Sequence, residues 1–277
     1  MKTRLSPALF LGLAACAPKS GTTPAAAPQD VVVTTKDFAF SAPDTIAPGL
    51  TTFRVTNEGQ QDHHVILGRL EQGRTLQDLM TFMKENPTAE PPFLSWRGAA
   101  GALAAGQTVN GATVDLPAGN YVMMCFVMDP ADQQPHLLKG MMQELVVAGT
   151  TVTAKAPEAH GEIRMKDFAF DASALSAGVH TIHVVNDGPQ THEIQLIRLN
   201  EGTSVQDFLA GLAPGAKGPP PGAMLGGPGA FSPGLDGYWT TTFTPGHYIF
   251  VCFVPDVASG MPHIMKGMVH EFTIPAS

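Results

Sequence analysis

Charge is scarce in this chain of 277 residues: 14% of them are charged, and acids outnumber bases to leave a formal charge of −8. The absent cationic surplus excludes a nucleic-acid partner, which calls for a basic face. Low charge beside abundant glycine (29) and proline (24) favours short strands joined by turns over long helices. There are only three cysteines, and no run beyond the N-terminus is long and apolar enough to cross a bilayer. Hydrophobic residues still make up 44%, enough for a sizeable core.

The opening MKTRLSPALFLGLAAC places Lys2 and Arg4 ahead of an apolar run from Ala8 to Ala15. Residues 1–15 therefore read as a secretory signal peptide, too short to span a membrane. Leu13-Ala14-Ala15-Cys16 resembles the lipobox of bacterial lipoproteins, which implies that Cys16 is lipidated and becomes the first mature residue. Residues 16–30, rich in Ala, Pro, Thr and Ser, read as a flexible tether. The expected location is the bacterial cell envelope, with a lipid anchor in the membrane and the chain facing the periplasm or the exterior.

The rest of the chain repeats itself. KDFAF at 36–40 returns at 166–170, and NEGQQDHHVILGRL at 57–70 returns as NDGPQTHEIQLIRL at 186–199. CFVMDPADQQPHLLKGM at 125–141 returns as CFVPDVASGMPHIMKGM at 252–268. The organisation expected is one domain over 31–149, a linker over 150–159 and a second domain over 160–277. Cys125 and Cys252, at equivalent depths of separate cores, are not expected to pair. Strand patterns recur at 51–55 and 180–185, at 63–70 and 192–199, at 121–127 and 248–254, and at 144–147 and 271–274. A short helix follows Thr75 in the first copy and Ser204 in the second, and a Gly/Pro-rich loop follows each, above all at 215–234. Many strands with one short helix per unit predict an all-β fold of two tandem β-sandwiches.

Each copy holds a histidine at the start of a strand, then a cysteine, a second histidine eleven positions on and a methionine five further: His63, Cys125, His136 and Met141, then His192, Cys252, His263 and Met268. A thiolate and two imidazoles with a weak thioether are the donors of a blue-copper site; soft sulfur stabilises Cu(I), and imidazole tolerates both oxidation states. Both halves resemble cupredoxins of the plastocyanin and azurin kind. The match runs through Asn186-Asp187-Gly188 and His192, Gly246-His247-Tyr248-Ile249-Phe250-Val251-Cys252, and His263 to Met268 with the last strand. The first copy carries the same points at His63, Gly119, Tyr121, Cys125, His136 and Met141. The resemblance implies two Greek-key sandwiches, one copper per domain and up to two in all, those eight residues as ligands, and electron transfer to a redox partner protein in the envelope. One departure stands: ten residues separate cysteine from second histidine, where the family has two to about four, and loss of that histidine would leave a His-Cys-Met site suited to Cu(I). Cu(I) binding for copper delivery or tolerance, and a metal-free interaction module, are the alternatives.

Two cupredoxin domains also occur in copper nitrite reductases and two-domain laccases, which hold further coppers through added histidines, one beside the site cysteine. Here the cysteine neighbours are Met124 and Phe126, and Val251 and Phe253, and no His-x-His pair occurs. No enzyme is expected on that ground. His64, His160, His180, His183, His247 and His270 read as structural or solvated, and Lys139 and Lys266 as surface lysines at the turn into the methionine.

Overall fold

The computed structural model describes residues 26–86, 89–213 and 215–276. The signal peptide and Cys16 lie outside the described residues. Alternation of β-branched and polar residues sets the strands: Gly49–Asn57 buries every second side chain, Phe53 and Val55 among them. In each copy the first strand, Gln29–Lys36 or Gly161–Lys166, runs parallel to the next long one, Gly49–Asn57 or Gly178–Asn186. That strand pairs antiparallel with Thr108–Leu116 or Asp236–Phe243. The opposing layer centres on His63–Leu70, bordered by Leu94–Leu103 and Gly119–Met124, with Met142–Val147 beyond. Its counterpart is His192–Leu199, bordered by Gly222–Met224 and Gly229–Phe231 on one side and Gly246–Val251 on the other, with Val269–Ile274 outermost. The two layers enclose a core that includes Val65, Leu67, Tyr121 and Met123 in the first copy and Ile194, Leu196, Trp239 and Phe250 in the second. These are two tandem cupredoxin-like sandwiches, all-β as expected.

The helices are local constructions. Thr75 caps Leu76–Glu85 and Ser204 caps Val205–Gly211, each in a capping box closed by an aspartate at the third helical position, Asp78 or Asp207. Leu79 and Phe208 are fully buried beneath them.

Several expectations are corrected. The strands expected over 121–127 and 248–254 stop at Met124 and Val251, just short of each cysteine. There the backbone changes partner: the Cys125 carbonyl accepts the amide of Leu137 (2.8 Å), and that of Cys252 accepts the amide of Ile264 (2.8 Å). The segment 215–234 contains two short strands rather than loop alone, and the first copy's equivalent is a ten-residue strand, Leu94–Leu103. The first strand starts at Gln29, inside the stretch read as tether, because its backbone is held by the ladder to Gly49–Asn57. In the linker, Val152 donates to the Pro48 carbonyl (2.8 Å), which lays that segment on the first domain.

The two copies share both sheets. Among the described residues one layer has eight strands and the other has ten, each continuous from one copy into the other. Asp236–Phe243 pairs with Thr108–Leu116, and Phe231 stands opposite Arg97. Gln195 seals the seam by accepting the amide of Ala102 (2.6 Å) and donating to its carbonyl (2.9 Å). Each sandwich thereby covers an edge the other would leave unpaired. The approach requires glycine: Gly229 has φ +79°, and a Cβ on it would lie 3.0 Å from the carbonyl of Gly98. Gly229→Ala is expected to cost about 1–2 kcal/mol from the left-handed backbone alone and to loosen the seam, read as a lower urea midpoint and faster proteolysis between the copies.

Candidate metal centres

The fold delivers each donor from a different piece of backbone. His63 opens the strand His63–Leu70, Cys125 follows Gly119–Met124, and His136 opens a 3-10 turn, His136–Lys139, that leads to Met141. His192, Cys252, His263 and Met268 repeat this, and all eight are fully buried. In the first site the two histidine Nδ1 atoms lie 3.1 Å apart, and Cys125 Sγ stands 3.5 Å from that of His136 and 3.9 Å from that of His63. In the second the Nδ1 atoms lie 3.0 Å apart, with Cys252 Sγ 3.5 Å from that of His263. The amides of Met141 and Met268 donate to the carbonyls of His136 and His263 (3.1 and 3.0 Å), which ties each methionine to its histidine.

The ten residues between cysteine and histidine form a closed hairpin. Met128 pairs with Pro135, Asp129 donates its amide to Gln134, and the His136 amide returns to the Val127 carbonyl (2.9 Å). Pro255 and Pro262, Asp256 and Met261, and His263 and Val254 do the same in the second copy. The long insertion therefore extends outward and brings the second histidine back beside the cysteine. Lys139 and Lys266 are not free surface lysines: they pair with the buried Asp129 and Asp256, which anchor the hairpins. These contacts hold the Asp129 and Asp256 carboxyls below the usual carboxylate range.

A second ring of residues orients the imidazoles. Asp37 Oδ1 lies 2.9 Å from His63 Nε2 and also accepts the amides of Gln60 and Gln61; Asp167 Oδ1 lies 2.9 Å from His192 Nε2. Gln61 Oε1 lies 3.0 Å from His136 Nε2. Phe38 packs edge-on to His136 and Phe168 to His263, ring centroids 5.2 Å apart in both pairs. Both phenylalanines hold a positive φ, +65° and +63°, a costly conformation for a bulky residue. The repeated KDFAF is thus part of the site, a role that sequence reading missed although the duplication itself was the signal. Gly59 and Gly188 make room for it, since a Cβ on either would lie 2.6 Å from the Nε2 of His63 or His192. Asn57 and Asn186 fold the preceding turn by accepting the amides of those glycines (2.9 and 3.0 Å).

In the first site this ring fixes both tautomers, whereas in the second the Nε2 of His263 has no hydrogen-bond partner among the described residues. A histidine donating from Nε2 to an acceptor has an unprotonated Nδ1. His63 and His136 therefore turn two lone pairs toward each other at 3.1 Å beside a thiol, an arrangement that a cation between them would stabilise. Burial pushes the Cys125 thiol up to about 12 and raises that of Cys252 as well, so a thiolate here needs a bound positive charge. Buried imidazole nitrogens and sulfurs suit copper, and the two donor sets fit up to two ions, one per domain.

The copies differ beside the first histidine. His64 Nε2 accepts the amide of Phe126 (2.5 Å), whereas Glu193 Oε1 accepts that of Phe253 (3.0 Å). Burial pushes His64 down to about 3 and Glu193 up to about 7. Of the other histidines, His183 stands between Glu162 and Asp236, and His247 contacts Glu271. Cys125 and Cys252 are free thiols, as expected.

No family profile matches the chain, and no curated protein does. Among solved structures, it is similar to a dithionite-reduced auracyanin from Roseiflexus castenholzii, at 22% identity and TM-score 0.32 over 45% of this chain and all of that one. A blue copper oxidase from Nitrosomonas europaea aligns at 14% identity and TM-score 0.26 over 90% of this chain and 86% of that one. A copper-containing nitrite reductase from Thermus scotoductus aligns at 12% identity and TM-score 0.24 over 88% of this chain and 61% of that one. The likenesses concern the fold alone. They correct the expectation that this chain is no enzyme: an oxidase and a nitrite reductase are among the structures that match both domains, so a tandem of this fold does not exclude catalysis.

Two outcomes follow from the outer ring. Asp167→Asn, tested where Cys125→Ser leaves the second site alone, is expected to weaken copper binding about 10–100-fold in a chelator competition titration. In the metal-free protein, Glu193 ionises near 7 when folded against an ordinary 4.5. A raised carboxyl pKa means the unfolded chain loses its proton first, so stability falls as pH rises through that window. Glu193→Gln keeps an acceptor for Phe253 and is expected to stabilise the metal-free protein at pH 8 more than at pH 4, read by thermal melts.

Proposed function

We propose that this chain is a copper protein that transfers electrons through both sites and is held at the bacterial envelope by a lipid on Cys16. The observation that carries the electron-transfer reading is the close approach of two fully buried imidazole Nδ1 atoms in each site, 3.1 and 3.0 Å apart, beside a cysteine sulfur. Bound copper would alternate between Cu(II) and Cu(I), held by His63, Cys125, His136 and Met141 and by His192, Cys252, His263 and Met268. The protein's part is to keep that cage unchanged. Asp37 and Asp167 orient the first histidines, the hairpins fix the second, and Phe38 and Phe168 cover them. A rigid cage limits rearrangement when charge changes. The lipobox-like Leu13-Ala14-Ala15-Cys16 supports the anchor. A redox partner in the envelope would dock near His136 or His263, where Leu138 and Met265 are 64% and 51% exposed.

Cu(I) delivery is the second reading. Met128, Met261 and Met265 are exposed on the same hairpins and turns, and soft thioethers suit Cu(I). Visible spectra of residues 29–277 with Cu(II), beside Cys125→Ser and Cys252→Ser, separate the two. Electron transfer predicts an intense thiolate-to-copper band, partly lost in each variant. Tight Cu(I) binding without a band would favour delivery, and no binding of either ion would overturn both.

A further inference from the structure

One indole, Trp96, makes contacts that lead toward both metal centres. Trp96 is nearly buried, and its ring stands edge-on to Phe126, centroids 5.9 Å apart. Phe126 follows Cys125 in the chain, so this side of Trp96 faces the first site. Its other side faces the second by two separate routes. Trp96 Nε1 donates to Glu90 Oε1 (2.5 Å), and the same oxygen accepts the hydroxyl of the buried Thr191 (2.8 Å), the residue before His192. The Trp96 backbone also exchanges two bonds with Ser232, donating to Oγ (2.8 Å) and accepting from its amide (3.1 Å). Ser232 follows Phe231, the cross-strand partner of His192.

The repeat supplies an internal control. Trp96 stands opposite Gly68, and the position equivalent to Gly68 is Ile197, which stands opposite Met224. Where the first copy has an indole with a polar N–H, the second has a thioether that makes no such link. The seam relates the copies by an approximate two-fold, with Phe231 opposite Arg97 and Leu225 opposite Leu103. A general packing need would have filled both positions alike. The side-chain link through Trp96, Glu90 and Thr191 joins the first cysteine's side of the seam to the second histidine, and Met224 offers no counterpart to it.

We infer that the two centres are wired together, with Phe126, Trp96, Glu90 and Thr191 forming an intramolecular route for an electron from one site to the other. This rests on the copper redox reading above. One electron leaves Cu(I) at one site and reduces Cu(II) at the other; no bond is made or broken and no proton is transferred. The indole supplies the polarisable element, and the shared carboxylate oxygen of Glu90 closes the gap between the domains.

The test is pulse radiolysis of the protein loaded with copper at both sites, with site spectra assigned from Cys125→Ser and Cys252→Ser. A re-equilibration phase independent of protein concentration is expected. Trp96→Phe and, in the exposed loop, Glu90→Ala are each expected to slow that phase several-fold while both visible bands and both midpoint potentials stay in place. Glu90→Ala serves because it leaves the core untouched should Trp96→Phe fold poorly. Intact bands with no concentration-independent phase, or a phase unchanged by either variant, would overturn the wiring alone. Absent bands would overturn the copper redox reading and this inference with it.

Discussion

Two imidazole nitrogens facing each other in a dry pocket, both unprotonated in the first copy, are the constraint around which each half of this molecule is arranged. In isolation such a contact is repulsive, and a chain free to relax would rotate one imidazole or move a proton. In the first copy neither movement is open, because Asp37 and Gln61 occupy the far nitrogens of both histidines. Asp37 or Asp167 holds the far nitrogen of the first histidine, and the hairpin holds the backbone of the second, with its ring against Phe38 or Phe168. The positive φ of each phenylalanine and the missing Cβ at Gly59 and Gly188 are local costs accepted to keep that geometry. Strain of this kind persists only where surrounding contacts over-determine it, and both copies have it at equivalent positions.

The same logic explains the long segment between cysteine and histidine. A segment of ten loose residues would place the second histidine imprecisely. Closing it as a hairpin, with a buried aspartate receiving a lysine from the turn beyond, makes its length immaterial to the site. The charge of Asp129 or Asp256 is paired inside the segment and does not reach the metal donors as a ligand. Length has been added outward, while the inner end returns the histidine beside the cysteine.

Much of this was legible in the sequence because it depends on local chemistry or on repetition. The strands at 63–70 and 192–199 fall where alternation put them, and Thr75 and Ser204 cap the helices their spacing marks. Six of the eight candidate donors, the four histidines and two cysteines, converge in two clusters. What escaped was non-local. LSWRGAAGAL falls in the stretch expected to be a Gly/Pro-rich loop, yet it is a strand whose Gly98 and Gly101 let another domain approach closely. Asp37 lies far from His63 in the chain, and nothing in its own surroundings identifies it as that histidine's orienting group. The shared sheets were hidden for the same reason: a strand edge does not disclose whether water or a second domain will satisfy it.

Duplication usually leaves two equivalent units, and equivalence is what the seam breaks. The approximate two-fold presents each copy with the same opportunities at the interface, but the residues there have diverged. Trp96 faces Met224 in repeat position, Thr191 faces Asp62, and His64 faces Glu193. The first two differences make the interface directional in its contacts. The third places a neutral imidazole behind one cysteine and a carboxyl behind the other, both bonded to the amide that follows the thiol. A neutral acceptor at one site and an ionisable one at the other alters the potential felt by the sulfur without altering the donor set. The donor sets have been kept alike while their surroundings have separated.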